Sequence, residues 1–185
     1  DSLVAYWKFD ETTGSNAANT AAGGRAGKVN GTAAWGAGQV GNSLKLDGAT
    51  THVFVDNYTK AKAQMAGSAW VNIAAGTAAD VAIFRNAEGN LGVGLNARGA
   101  AKTGQFEVGL VLDATDNVLR LSGAIGAGPN VVRATGANAF PLGSWQHVAF
   151  SADGAQLRLY LNGAEIASTD YITSINAPDM PYISL

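Results

Sequence analysis

Residues 143–168 read GSWQHVAFSADGAQLRLYLNGAEIAS, and the parity of their side chains decides the architecture. In QLRLYL, Leu157, Leu159 and Leu161 fall on one side of an extended chain and Gln156, Arg158 and Tyr160 on the other, because successive strand side chains point to opposite faces. HVAFS alternates too, with Val148 and Phe150 inward. Asp153-Gly154 and Asn162-Gly163 supply the positive φ that a two-residue hairpin turn needs. The stretch is a predicted three-stranded meander, and Trp145 and His147 are read as frame rather than as reacting groups.

The same pattern recurs outward from this meander. Strands are expected near residues 3–9, 44–46, 52–55, 69–73, 82–85, 91–95, 106–112, 118–121, 131–134 and 182–185. Gly-Asn, Glu-Gly, Asp-Asn and Gly-Pro pairs punctuate them. The best helix candidate is 59–66, two turns at most. Residues 14–38 read as a long, small-residue surface loop with one short strand, anchored by Val29 and Trp35. Many short strands between turn signals imply a β-sandwich or barrel.

With 185 residues the chain has the size of a single domain, spanning 1–185, with a core that needs no staples. Apolar residues make up 47% and charged residues only 14%, which excludes disorder and leaves a surface of Asn, Thr, Ser, Gln and Gly. A net charge of −2 and the lack of a basic patch argue against nucleic acid as a partner. There is no cysteine, so disulfides, thiolate metal sites and Cys nucleophiles are excluded. No apolar run is long enough to insert across a membrane. The first residue is Asp1, not Met, which fits removal of a leader and a secreted or cell-surface location.

Four motifs in order carry a family resemblance. They are LVAYWKFDETTG (3–14), VGNSLKLDG (40–48, with Leu46 where Phe is usual), GSAWVN (67–72) and the Trp-x-His-Val hairpin of the opening stretch. Together they resemble the laminin-G-like, concanavalin A-like jelly-roll domains of bacterial secreted proteins. The resemblance implies an all-β, two-sheet antiparallel β-sandwich with Trp70, Trp145, Phe150 and Leu159 between the sheets. It also implies a further strand beyond PYISL (181–185); the chain stops at Leu185, so that strand is expected to be missing, leaving an edge open to self-association or to a strand from another chain.

A glycosidase needs two carboxylates at a set separation. No Glu-x-Asp-x-Glu or Glu-x-Asp-x-x-Glu run occurs, Glu88, Glu107 and Glu165 stand apart from other acids at those spacings, and Asp10-Glu11 would face opposite ways. His52 and His147 come without a Gly-x-Ser-x-Gly elbow, and GGRAGK (23–28) lacks the rest of a phosphate loop. The chain is therefore read as a non-catalytic recognition or adhesion module, with a structural subunit and a divergent glycoside hydrolase as the alternatives. A carbohydrate site needs an exposed aromatic platform with amide or guanidinium donors. The candidates on predicted loops or wet faces are Trp35, Tyr58, Arg85, Asn86, Asn96, Arg98 and Tyr171, with residues 96–104 as one wall. Trp35 is equally readable as a core plug. The expected partner is a glycan or surface polymer. Because related jelly rolls carry an oxygen-ligated ion near the chain ends, calcium is a candidate structural cofactor, with Asp10, Asp47 and Asp56 as its ligands.

Overall fold

The computed structural model describes residues 3–58, 64–86, 105–126, 131–172 and 182–185. The chain groups into two compact units, Asp1–Thr59 with Pro181–Leu185, and Lys60–Met180. Every regular element among the described residues is a strand. The helix expected at 59–66 is corrected at its end, since Met65 and Ala66 already belong to a strand, and 59–63 lie outside the described residues.

The first unit holds β1 (Asn16–Ala17), β2 (Gly27–Asn30), β3 (Ala34–Ala37), β4 (Asn42–Lys45) and β5 (His52–Asp56), with the last strand, β14 (Tyr182–Ser184). The strands β1, β2, β5 and β14 lie side by side, all antiparallel. Two further backbone bonds couple Val53 and Leu185, N–H to C=O in both directions. Ala17, Val29, Val53 and Val55 form the apolar face, each at most 2% exposed. β3 and β4 make a separate hairpin. The segment 14–38, expected to hold one short strand, thus carries β1, β2 and β3.

The strand expected at 3–9 is a single bridge, Trp7 to Asn19. Side chains hold this segment instead. The Asn19 Oδ1 accepts from the Tyr6 N–H at 3.0 Å, its Nδ2 donates to the Arg25 carbonyl at 3.0 Å, and the Trp7 indole N–H donates to that same carbonyl at 2.9 Å. The Glu11 carboxylate accepts the Ala18 N–H at 2.7 Å.

The second unit is a two-layer sandwich. One sheet runs β6 (Met65–Asn72), β11 (Trp145–Ala152), β12 (Gln156–Leu161), β13 (Ala164–Asp170); the other runs β7 (Val81–Asn86), β8 (Gln105–Asp113), β9 (Val118–Gly126), β10 (Val132–Thr135). The meander read from the opening stretch is β11, β12 and β13. Its second turn has φ of 51° at Asn162 and 85° at Gly163, the double left-handed pair of a type I′ turn. In the first, the Asp153 N–H donates to the Gln156 carbonyl at 3.2 Å, so the two-residue turn is Gly154-Ala155, one position later than expected, with φ of 101° at Gly154 and the Asp153 carboxylate accepting the N–H groups of Ala155 and Gln156.

Strict alternation along β11 buries Val148, Phe150 and Ala152, and along β12 Leu157 and Leu159. Phe150 meets Phe84 of the opposite sheet at 5.4 Å between ring centroids and Phe106 at 5.7 Å. The aromatic cluster fills the gap between sheets at offset, tilted angles that suit ring quadrupoles. Gly67 on β6 makes room for it: a Cβ there would stand 2.7 Å from Phe150 Cε1. Trp70 is the exception to the expected core. It is 46% exposed, because Gly67, Ala69 and Val71 take the inward parity of β6 and Trp70 takes the other. Trp145 is half-buried on that same outward parity.

Truncating Phe150→Ala removes the centre of the aromatic cluster and is expected to cost about 3–5 kcal/mol in urea unfolding. Gly67→Ala should destabilise through the same ring, by about 1–3 kcal/mol for an overpacked core. An F150A/G67A double variant no worse than F150A would confirm that the two positions compete for one space, and full additivity would refute it.

Candidate functional site

The acids proposed as calcium ligands are each engaged by nearby hydrogen-bond donors. Asp47 Oδ1 accepts three backbone N–H groups, from Ala49 at 2.9 Å, Thr50 at 2.8 Å and Thr51 at 2.8 Å, and its Oδ2 accepts the Thr50 hydroxyl at 2.7 Å. These donors, led by the Thr51 N–H, hold the Asp47 carboxyl well below the usual carboxylate range. Asp10 accepts the Asn42 N–H at 2.9 Å on Oδ1 and the Asn42 amide at 3.0 Å on its carbonyl. Asp56 accepts the N–H of Asn57 at 2.8 Å. A ring of N–H dipoles aimed at a carboxylate suits that carboxylate, not a cation beside it. No group of three or more His, Cys, Asp or Glu among the described residues is arranged to hold a metal ion. Asp10, Asp47 and Asp56 each close a turn or tether a segment.

The aromatic and amide candidates fall apart in the same way. Trp35 and Tyr58 belong to the first unit. Trp35 is half-buried and its indole N–H donates to the Gly14 carbonyl at 3.0 Å, so that donor is occupied. Tyr58 packs at a tilt against Trp7, ring centroids 6.5 Å apart, and burial pushes its phenol pKa up. Arg85, Asn86 and Tyr171 belong to the second unit, and their expected wet-face placement is corrected: they are 2%, 0% and 5% exposed. The register slip between Ala82 and Phe84 breaks the simple parity of β7, and Ile83 through Asn86 are all buried. The Tyr171 hydroxyl accepts the Gly154 N–H at 2.7 Å, which pins the loop before β12. Asn96, Arg98, the 96–104 wall and the strand expected at 91–95 lie outside the described residues.

A buried charged row crosses the second unit instead. Register sets Arg85 on β7 opposite Glu107 on β8, Glu107 opposite Ala124 on β9, and Ala124 opposite Arg133 on β10. Arg85 Nε stands 3.7 Å from Glu107 Oε2, with side chains 3% and 2% exposed. Burial lowers the Arg133 pKa, and Glu107 and then Asp80 oppose that shift. Phe106 through Leu110 are buried on both parities, so this row is internal framework rather than an open wall.

Elsewhere in this unit a cleft of about 260 Å³ is floored by Leu121, Phe140, Leu161 and Ile166, with Asn138 and Glu165 at its rim. None of the described sequence-predicted binding residues lines it. Trp70, expected between the sheets, instead faces solvent beside His147. Their rings meet edge to face at 5.2 Å and 61° across directly paired positions of β6 and β11. Parity alone marks both: each lies one residue from an inward position, Val71 and Val148.

Two expectations follow. A carboxyl whose pKa is lower in the folded than in the unfolded chain contributes stability above the unfolded pKa and loses it as pH falls. The Gln156 N–H, then the Arg158 guanidinium and the Ala155 N–H, push Asp153 down from 3.8 to about 2, and Asp47 moves the same way. Asp47→Asn and Asp153→Asn should each flatten the fall in melting temperature as pH drops from 3.8 toward 2; a slope equal to the wild type's would refute these assignments. Secondly, Glu107→Leu removes the carboxylate beside the buried Arg85 and should cost about 3–5 kcal/mol, whereas the paired Arg85→Met/Glu107→Leu variant recovers part of it in urea unfolding.

With this geometry in hand, the likenesses to known proteins are informative. The sequence matches no curated protein. Among solved structures, domain 4 of AbnA, a GH43 extracellular arabinanase from Geobacillus stearothermophilus solved in complex with arabinotriose, superposes with a TM-score of 0.70 at 21% identity, covering 100% of this chain and 82% of that one. The binding domain of Paraclostridial Mosquitocidal Protein 1 superposes at 0.63 and 11% identity, covering 99% of this chain and 47% of that one. Both share its fold. The profile described as concanavalin A-like lectin/glucanases superfamily matches residues 47–183, an antiparallel all-β sandwich as found here, and the chain belongs to that superfamily.

Proposed function

We propose that this chain is a non-catalytic carbohydrate-recognition module acting outside the cell, on a cell surface or matrix. The observation that carries the non-catalytic part is the engagement of its acids. Asp47 and Asp153 each cap their own turn. Asp113 and Asp116 both pair with Arg120. Glu107 is 1% exposed beside Arg85. A glycosidase acid must reach the glycosidic oxygen across an open cleft and a second carboxylate must face it. Carboxylates fixed by backbone N–H groups or by guanidinium partners stay ionised and occupied, which suits a scaffold.

The carbohydrate part draws support from the fold and from the surface. The arabinanase domain of the same fold was solved with a bound trisaccharide. With charged residues at 14%, the surface offers mainly amides and hydroxyls, the groups that exchange hydrogen bonds with sugar hydroxyls. No helix among the described residues is long and apolar enough to cross a membrane.

A glycan array, run beside a reducing-sugar release assay on the same glycans, tests the reading. Binding to at least one glycan with no release is expected. Release of reducing ends that is abolished by Glu107→Gln would assign a hydrolase instead, and no binding to any glycan would remove the carbohydrate reading.

A further inference from the structure

We infer that the outward face of the β6–β11–β12 sheet, around Trp70 and His147, is a stacking platform for the apolar face of a neutral sugar ring. This rests on the carbohydrate reading above and gives it a location that none of the sequence-predicted residues occupies.

Register and parity place the residues of the face on a grid. Asn72 pairs with Trp145, Trp70 with His147, Ser68 with Ala149, and Ala66 with Ser151. One strand further, Ala149 pairs with Tyr160 and Ser151 with Arg158. All these positions lie on the parity opposite the buried Val148, Phe150, Leu157 and Leu159. The tall aromatic pair therefore stands beside a low floor of Ser68, Ala149, Ala66 and Ser151, with Tyr160 across from it. Neighbours one pair along a strand are about 7 Å apart and adjacent strands about 5 Å. A floor of that extent admits a single ring against the indole.

Three physical features single out a sugar. First, Trp70 is 46% exposed in the interior of a strand, not at a loop tip, and the edge-to-face contact of His147 at 5.2 Å limits how its indole can turn. An aromatic plane presented with little rotamer freedom loses little entropy on stacking. Second, neither MAGSAWVN nor WQHVAFSA contains Asp, Glu, Lys or Arg. Among the described residues, the basic side chain bordering the floor is Arg158, which is taken up by Asp153 and, at 3.9 Å, by Glu165. An anionic polymer would find no free Lys or Arg among the described residues of this face, whereas a neutral ring meets hydroxyls and amides. Third, those groups are placed for it: Asn72 and Ser68 are exposed on either side of Trp70 along β6.

The test uses the full chain with soluble arabinotriose, xylotriose and cellotriose, and polygalacturonate as the acidic comparison, followed by tryptophan fluorescence and calorimetry. At least one neutral trisaccharide should bind and shift the emission. Trp70→Ala should weaken it at least 10-fold and Trp70→Phe by less, each with the wild-type melting temperature to within a few degrees. Ile172→Ser, at a 92% exposed apolar position off this face, should leave it within 2-fold. Unchanged binding in Trp70→Ala overturns the platform while leaving the carbohydrate reading intact. No binding by the wild type to any of the four sugars or to the glycan array overturns both. A wild-type dimer in sedimentation that Trp70→Ala dissociates overturns the platform in favour of a second copy of the chain.

Discussion

The second unit depends on one packing constraint, the seat of Phe150 between two sheets. Its ring faces Phe84 and Phe106 across the layer, and Gly67 on the adjacent strand leaves the volume it occupies. Because a strand exposes alternate residues to opposite faces, burying Phe150 and Val148 drives His147 and Ala149 outward. The register β6 shares with β11 then carries that decision across to Trp70, which must face out where Ala69 and Val71 face in. A one-residue slip would invert every one of these choices, so the core fixes what the outer face displays.

Electrostatics does different work in this molecule from what its handful of acids first suggests. The carboxylates act as local staples. Asp47 gathers the N–H groups of its own turn, Asp153 those of the loop before β12, and Arg120 is shared between Asp113 and Asp116. Exposed ion pairs contribute little each, about 0–1 kcal/mol. At the turns the carboxylates fix the loop conformation by holding several backbone N–H groups at once. The buried Arg85–Glu107 pair is a separate case, in which two charges held away from water depend on staying close to each other.

Much of this was legible in the chain itself, and the misses have physical causes. Strict alternation in 145–161 identified β11 and β12, and Asn-Gly located a type I′ turn. The 3–9 segment has strand-like residues but is held by Asn19, Glu11 and the Trp7 indole, side-chain contacts no periodicity encodes. Arg85 and Asn86 looked solvated because polar residues usually are; a register slip and a sheet buried on both faces put them inside. For Trp70 the family motif pointed to the core while its own parity pointed to solvent, and parity was right. The turn-closing roles of Asp10, Asp47 and Asp56 were not legible, because an acidic residue type says nothing about whether its oxygens already face N–H groups.

The type I′ turn carries a vulnerability of its own. Asn162 works in both directions: its Oδ1 accepts the His147 N–H at 2.9 Å and its Nδ2 donates to Gln146 Oε1 at 2.7 Å. An Asn followed by Gly is the pair most open to deamidation, and the aspartate so formed can only accept. Ageing of the protein would thus set a new carboxylate against the Gln146 oxygen, loosening the hairpin end beside His147 while every apolar contact of the core stayed as it was.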